Sequence, residues 1–191
     1  GWTTGADGSG LLIADGATVK NLTGAEGGVV TLYAYWTVHA FKLTLSANGG
    51  SVNVAVPVGT YNYDGNTITY DLSANSTVHL AAANAFVRPG YVLDGWAETV
   101  EGLAVYAPSA TFTMPAGDTT LYAHWTPIIY SVSFAPGVSD ATGAMPATFF
   151  TYDAPRALPK NLFALNGYEF AGWRDAQGNK YADMATIVNL T

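Results

Sequence analysis

The chain has 191 residues and a net charge of −7, from seven Lys+Arg against fourteen Asp+Glu. That balance excludes the basic face on which nucleic-acid binding depends, and it offers no attraction to anionic lipid. Aliphatic and aromatic residues make up 49%, enough for a packed core, and the absence of cysteine excludes disulfides, thiolate catalysis and cysteine-held zinc.

The chain opens on Gly1-Trp2, and a strand-like segment, Leu32-Tyr33-Ala34-Tyr35-Trp36, follows after a Gly-rich stretch. Next come short bursts of apolar–polar alternation, the mark of strands with one buried face: Phe41-Lys42-Leu43-Thr44-Leu45, then Thr67-Ile68-Thr69-Tyr70. Between them, Asp64-Gly65-Asn66 predicts a hairpin turn in which Gly65 supplies a positive φ. Residues 78–86 are Ala-rich behind Ser76 and Thr77, and predict a short helical crossover. A second Gly-Trp pair follows at Gly95-Trp96. The segment Leu121-Tyr122-Ala123-His124-Trp125 then closes the unit.

The order begins again. Tyr130-Ser131-Val132-Ser133-Phe134 predicts a first strand, residues 147–152 a second, and residues 159–165 a helix opened by Pro159. A third pair, Gly172-Trp173, follows, with no Leu-Tyr-Ala-x-Trp segment after it in the sequence. The longest apolar runs fall well short of the ~18 residues that a membrane-spanning helix needs.

Self-similarity at this spacing predicts a repeat array. Residues 1–38 read as the C-terminal half of a module, 39–127 as a complete module, and 128–191 as a module lacking its final strand. Two readings of the phasing stand. In one, the Leu32 strand of one copy completes the last module of the next, through Val30, Leu32, Ala34 and Trp36, and builds a head-to-tail filament. In the other, favoured because repeats are easily cut out of phase, the sequence is a window on a longer chain.

These residues carry a resemblance. Gly-Tyr-x-Phe-x-Gly-Trp, a Gly/Asp-rich hairpin and Thr-Leu-Tyr-Ala-x-Trp, with an opening strand that ends Ala47-Asn48-Gly49-Gly50, resemble the internalin B-repeat, or Listeria–Bacteroides repeat, family. The resemblance implies a mainly β fold of tandem small β-grasp-like modules with a short helical crossover. It also implies a secreted, extracellular setting at the bacterial cell surface, with no enzymatic role and no cofactor. Partners would be neighbouring modules or copies of the chain, with a surface glycan or host protein also open. The sequence departs from the family at Pro136-Gly137, where Asn-Gly-Gly is expected, and in an insertion at 51–66.

Because alternate strand residues share a face, Leu121, Ala123 and Trp125 are expected to point into the core. Trp2, Trp36, Trp96, Trp173 and Leu32 are read as core by the same repeat logic. The competing reading is a carbohydrate-binding module, in which exposed aromatic rings stack on sugars. Tyr61, Tyr63 and Tyr70, which belong to the insertion or border it, are its best candidates. His39, His79 and His124 show no carboxylate or hydroxyl at a recognisable catalytic spacing. Asp7, Asp15, Asp175 and Asp183 read as turn formers, since their loops lack the ligand alternation of a calcium site. Asn21, Asn75 and Asn189 begin Asn-x-Ser/Thr acceptor patterns.

Overall fold

The computed structural model describes residues 1–53 and 62–190. It is mainly β, built from several small sheets, and falls into two compact units, Gly1–Ala40 and Phe41–Thr191.

In the first unit, Trp2–Thr3 pairs antiparallel with both Leu12–Ile13 and Tyr33–Ala34. Only Thr3 and Ile13 are buried there. Two of the expected core tryptophans are therefore not core: Trp2 is 39% exposed and Trp36 is 87% exposed. Short strands with two inward side chains make no interior that could receive an indole. Trp2 instead turns its Nε1 to Asp15.

The second unit contains a five-stranded mixed sheet in the order Tyr91–Ala97, Thr119–Pro127, Ala40–Ser46, Thr67–Ser73, Asn62–Tyr63. The closing strand, Thr119–Pro127, lies antiparallel to the Gly-Trp strand Tyr91–Ala97 and parallel to the first strand Ala40–Ser46. Its alternation is the reason for its place. Leu121 and Ala123 are fully buried, and they meet Leu43, Leu45, Ile68, Phe86, Leu93, Trp96 and Met114 in one core.

Trp125 is partly buried, and its Nε1 donates to the Ala47 carbonyl at 2.9 Å. The Asn48 amide donates to the Ala123 and Val100 carbonyls at 3.0 and 2.9 Å. A Cβ on Gly50 would stand 2.5 Å from the Trp125 ring. The Ala-Asn-Gly-Gly turn is thus the seat of the closing tryptophan.

The predicted helical crossover is absent. Residues 77–87 form a strand Thr77–His79, a 3-10 turn Ala83–Ala85 and a strand Phe86–Val87. The backbone bonds to neighbours instead of to itself: Thr77–His79 pairs with Thr111–Thr113, and Leu80 N donates to Ala110 O. A helix this short is too costly to nucleate when partner strands stand ready. Ser76, the expected cap, bonds back to Ser73.

The second predicted helix, at 159–165, also gives way to irregular chain. Asn161 forms a local turn with Phe163, and Ala164 bridges to Thr142. The hairpin at 64–66 forms, but Gly65 is not at positive φ. The Asp64 carboxylate holds that turn by accepting from the amides of Asn66 and Thr67.

A second core within residues 130–190 packs Phe150, Leu158 and Ile187 against Tyr130, Val132, Phe134, Trp173 and Tyr181. Its strands are short: Ile129–Val132 with Thr148–Thr151, Arg156–Ala157 with Thr186–Ile187, and Trp173–Arg174 with Lys180–Tyr181.

One contact recurs at the three Gly-Trp pairs. A Cβ on Gly1, Gly95 or Gly172 would stand 2.5–2.7 Å from a carbonyl oxygen of the returning strand, of Ile13, Tyr106 and Tyr181 respectively. Any side chain there would push the hairpin away from its tryptophan. Asn21, Asn75 and Asn189 all sit at positive φ, between 53° and 64°, where asparagine is among the best-tolerated residues.

Gly95→Ala is expected to destabilise the chain by about 1–3 kcal/mol through overpacking. Leu121→Ala is expected to cost about 2–5 kcal/mol through the cavity it leaves. Urea denaturation followed by tryptophan fluorescence measures both. An unchanged midpoint for either would remove the corresponding contact from the account of stability.

Candidate functional site

Two places in the second unit bring together side chains far apart in sequence. The first is the face of the closing strand pair. A register shift between Leu93 and Gly95 swings Asp94 toward His124 and Thr126. Asp94 Oδ1 lies 2.6 Å from His124 Nδ1, and the Thr126 hydroxyl donates to Asp94 Oδ2. Burial pushes the Asp94 carboxyl up, but the bonds from Thr126 and His124 outweigh it and hold the group below the ordinary carboxylate value. Both donors converge on one carboxylate, and the hydroxyl does not face the histidine. The cluster therefore pins two strands together and does not set a base beside a nucleophile. Sequence reading found no partner for His124 because the cross-strand register, with its bulge, creates the contact.

The second place is where the closing strand passes into the strand that follows it. A single residue, Ile128, separates the closing strand Thr119–Pro127 from the next first strand, Ile129–Val132. Ile128 N donates to Gly90 O, and Tyr152 N donates to Ile128 O, each at 2.9 Å. The Tyr152 ring lies over Gly90, where a Cβ would be 2.2 Å from it. Gly90 has φ +78°, so glycine meets two demands here, conformation and space.

Tyr91 packs edge-on to Tyr152, and its hydroxyl donates to Asp153 at 2.7 Å. The Arg88 guanidinium covers the other part of the Tyr91 ring, 3.9 Å from its centroid. Asn189 completes the cluster by bonding Asp153 twice, from its amide nitrogen and to the Asp153 backbone N–H. The bond to Asp153, then burial and the Asp153 charge, raise the Tyr91 phenol above its ordinary value. Bonds from Tyr91 and Asn189 lower the Asp153 carboxyl.

The sequence-selected residues distribute as follows. Trp96 and Leu121 are fully buried, Trp125 and Trp173 are partly buried, and Leu32 and Val30 are half-buried. Ala34 is exposed, and its strand pairs on one side with Trp2–Thr3. Tyr63 is exposed on the edge strand, and Tyr70 packs against the core. Tyr61 lies outside the described residues. Asp7 and Asp175 cap their own turns through Ser9 and Asn179, whereas Asp15 and Asp183 reach farther, to Trp2 and Asn161. His79 lies within 3.5 Å of the Ser109 carbonyl and the Thr111 hydroxyl. Among the described residues, no three His, Asp or Glu side chains cluster as a metal site would need, and no helix is long and apolar enough to cross a membrane.

The chain is similar to proteins of known name. It is 27% identical over 174 residues to a protein of Evansella cellulosilytica described as a Gly-rich membrane protein, across 91% of this chain and 18% of that one. It is 32% identical over 133 residues to internalin H of Listeria monocytogenes, across 63% of this chain and 22% of that one. The chain thus spans less than a quarter of the length of these curated relatives. No solved structure matches it. The family model for the Listeria–Bacteroides repeat domain matches residues 41–124, which run from the first strand, through the turn that seats Trp125, into the closing strand. Residues 41–124 are a Listeria–Bacteroides repeat domain, distantly similar to internalin H.

Proposed function

We propose that the chain is a non-catalytic part of a bacterial surface protein, in which β-grasp-like modules are coupled in tandem to space or present other domains. The junction around Gly90, Tyr91, Tyr152 and Asp153 carries this reading. A one-residue connection leaves no slack, and packed rings with charge-assisted hydrogen bonds fix the angle between modules. Coupling of nearest neighbours is how repeat arrays gain stiffness. Similarity to an internalin repeat supports the surface setting. The finer form of the proposal has copies joining head to tail by strand addition, with the edge of the Leu32 strand beside the last module of the next copy.

A carbohydrate-binding role is the second reading, and the exposed Trp36 favours it. Saturable quenching of Trp36 fluorescence by a surface glycan, lost in Trp36→Ala, would establish that role. Quenching that does not saturate would exclude it.

If the modules are rigidly coupled, residual dipolar couplings from the middle and last modules fit one alignment tensor. Separate tensors would overturn the spacer reading. Raising the Tyr91 phenol adds stability that is present below the unfolded value of about 10 and is lost as pH rises through the folded value. Lowering the Asp153 carboxyl adds stability that is present above about 4 and is lost as pH falls through its folded value. The junction is therefore tightest between the two. In an ultraviolet titration, Asp153→Asn is expected to bring one late-ionising tyrosine down in pH, and Tyr91→Phe to remove it. An unchanged curve in both variants would mean that this bond does not hold the junction.

A further inference from the structure

The turn that seats the closing strand is built from a chemically labile pair. Gly50 N donates to Ala47 O at 2.9 Å, and the two residues between them, Asn48 and Gly49, stand at φ 44° and 88°. A tight turn with both central residues in the left-handed region selects Asn-Gly. In that same dipeptide an asparagine side chain is most open to attack by the next backbone nitrogen, because glycine puts no Cβ beside it. Gly49 is exposed and Asn48 half-buried, so water reaches the pair.

While the closing strand is seated, the Asn48 side chain is held. Its Nδ2 donates to Ala123 O of that strand at 3.0 Å and to Val100 O, beyond the Gly-Trp strand, at 2.9 Å. Ring closure needs the side chain to turn back over Gly49 N and its amide nitrogen to leave as ammonia. Both hydrogen bonds are lost on the way.

We propose that Asn48 is a self-modification site gated by the closing strand. Seated, Thr119–Pro127 protects it. Detached, the strand frees it to deamidate, and the product bars the strand from returning. In the reaction Gly49 N bonds to Asn48 Cγ and loses its proton, the Cγ–Nδ2 bond breaks, and ammonia leaves behind a succinimide. Water then opens the ring at either carbonyl and gives aspartate or isoaspartate at this position.

Both products fail at the contacts that asparagine makes. A carboxylate has no hydrogen to donate, so its oxygens would face the Ala123 and Val100 carbonyl oxygens at distances that suit only a donor and an acceptor. Isoaspartate also adds an atom to the main chain ahead of Gly49, and the turn has no room to shift. A Cβ on Gly50 would already stand 2.5 Å from the Trp125 ring and 2.7 Å from Val87 O, while Ala47 O holds Trp125 Nε1 at 2.9 Å. Pro136-Gly137, where the sequence departs from the family's turn, keeps a glycine at φ 79° but has no side-chain amide. The device therefore belongs to the repeat domain at residues 41–124.

The test is peptide-mapping mass spectrometry of the whole chain aged at mildly alkaline pH, folded and in urea. Asn48 is expected to deamidate roughly tenfold or more slowly in the folded chain, because the reaction waits on local opening. Trp125→Phe removes the bond to Ala47 O and loosens the strand at its seat, and is expected to speed the folded-state reaction severalfold. Asn48→Asp places the product in a residue type that tolerates the left-handed region. It is expected to lower the urea midpoint and to speed hydrogen exchange of the closing-strand amides. Asn48→Gly keeps the turn without the charge and is expected to fall between Asn48→Asp and the unaltered chain. It remains the reference should Asn48→Asp fail to fold. Equal rates in the folded and unfolded chain, an unchanged rate in Trp125→Phe, or identical behaviour of Asn48→Asp and Asn48→Gly would overturn the proposal.

Discussion

Everything in the middle module depends on a strand that is held on both edges. Thr119–Pro127 joins the first strand to the Gly-Trp strand, and its inward Leu121 and Ala123 close the core beneath. Neither neighbour has another route to the other. The small size of Ala123 is part of the constraint, because Trp96 fills the space opposite it. The turn at residues 47–50 belongs to the same device. Its carbonyl, its asparagine amide and its missing side chain receive the closing strand at Trp125 and Ala123. Two sequence motifs some seventy residues apart are therefore one contact, as the 75-residue separation of Asn48 and Ala123 makes plain.

The first unit shows what the same motifs do without that core. Leu32-Tyr33-Ala34-Tyr35-Trp36 repeats the closing pattern and pairs with its Gly-Trp strand, yet Trp36 stands in solvent. Identity of pattern does not carry burial with it. Burial comes from the layer supplied by Phe86, Ile68 and Met114, which residues 1–40 do not contain.

Strands and their alternation were legible in the sequence, since each depends on residues close together. Leu43 and Leu45 announced their face. The helices were misread because Ala-rich content at 78–86 has helical propensity, while the decisive partners, residues 110–112, lie far along the chain. Gly65 was misread because the Asp64 side chain closes the turn without a left-handed residue. The Asp94–His124 and Tyr91–Asp153 contacts left no local signal. The first depends on a bulge in register, the second on the packing of Tyr152 and Asp153 against Tyr91.

The parallel pairing of the first and closing strands has a mechanical consequence. They are the module's outermost strands in chain order, and they lie side by side in register from Thr119 opposite Leu43 to Tyr122 opposite Ser46. Tension along the backbone enters at one and leaves at the other, in opposite directions along parallel strands. The hydrogen bonds between them are then loaded together in shear and cannot unzip one at a time. Ile128 passes that load to Ile129–Val132 without slack.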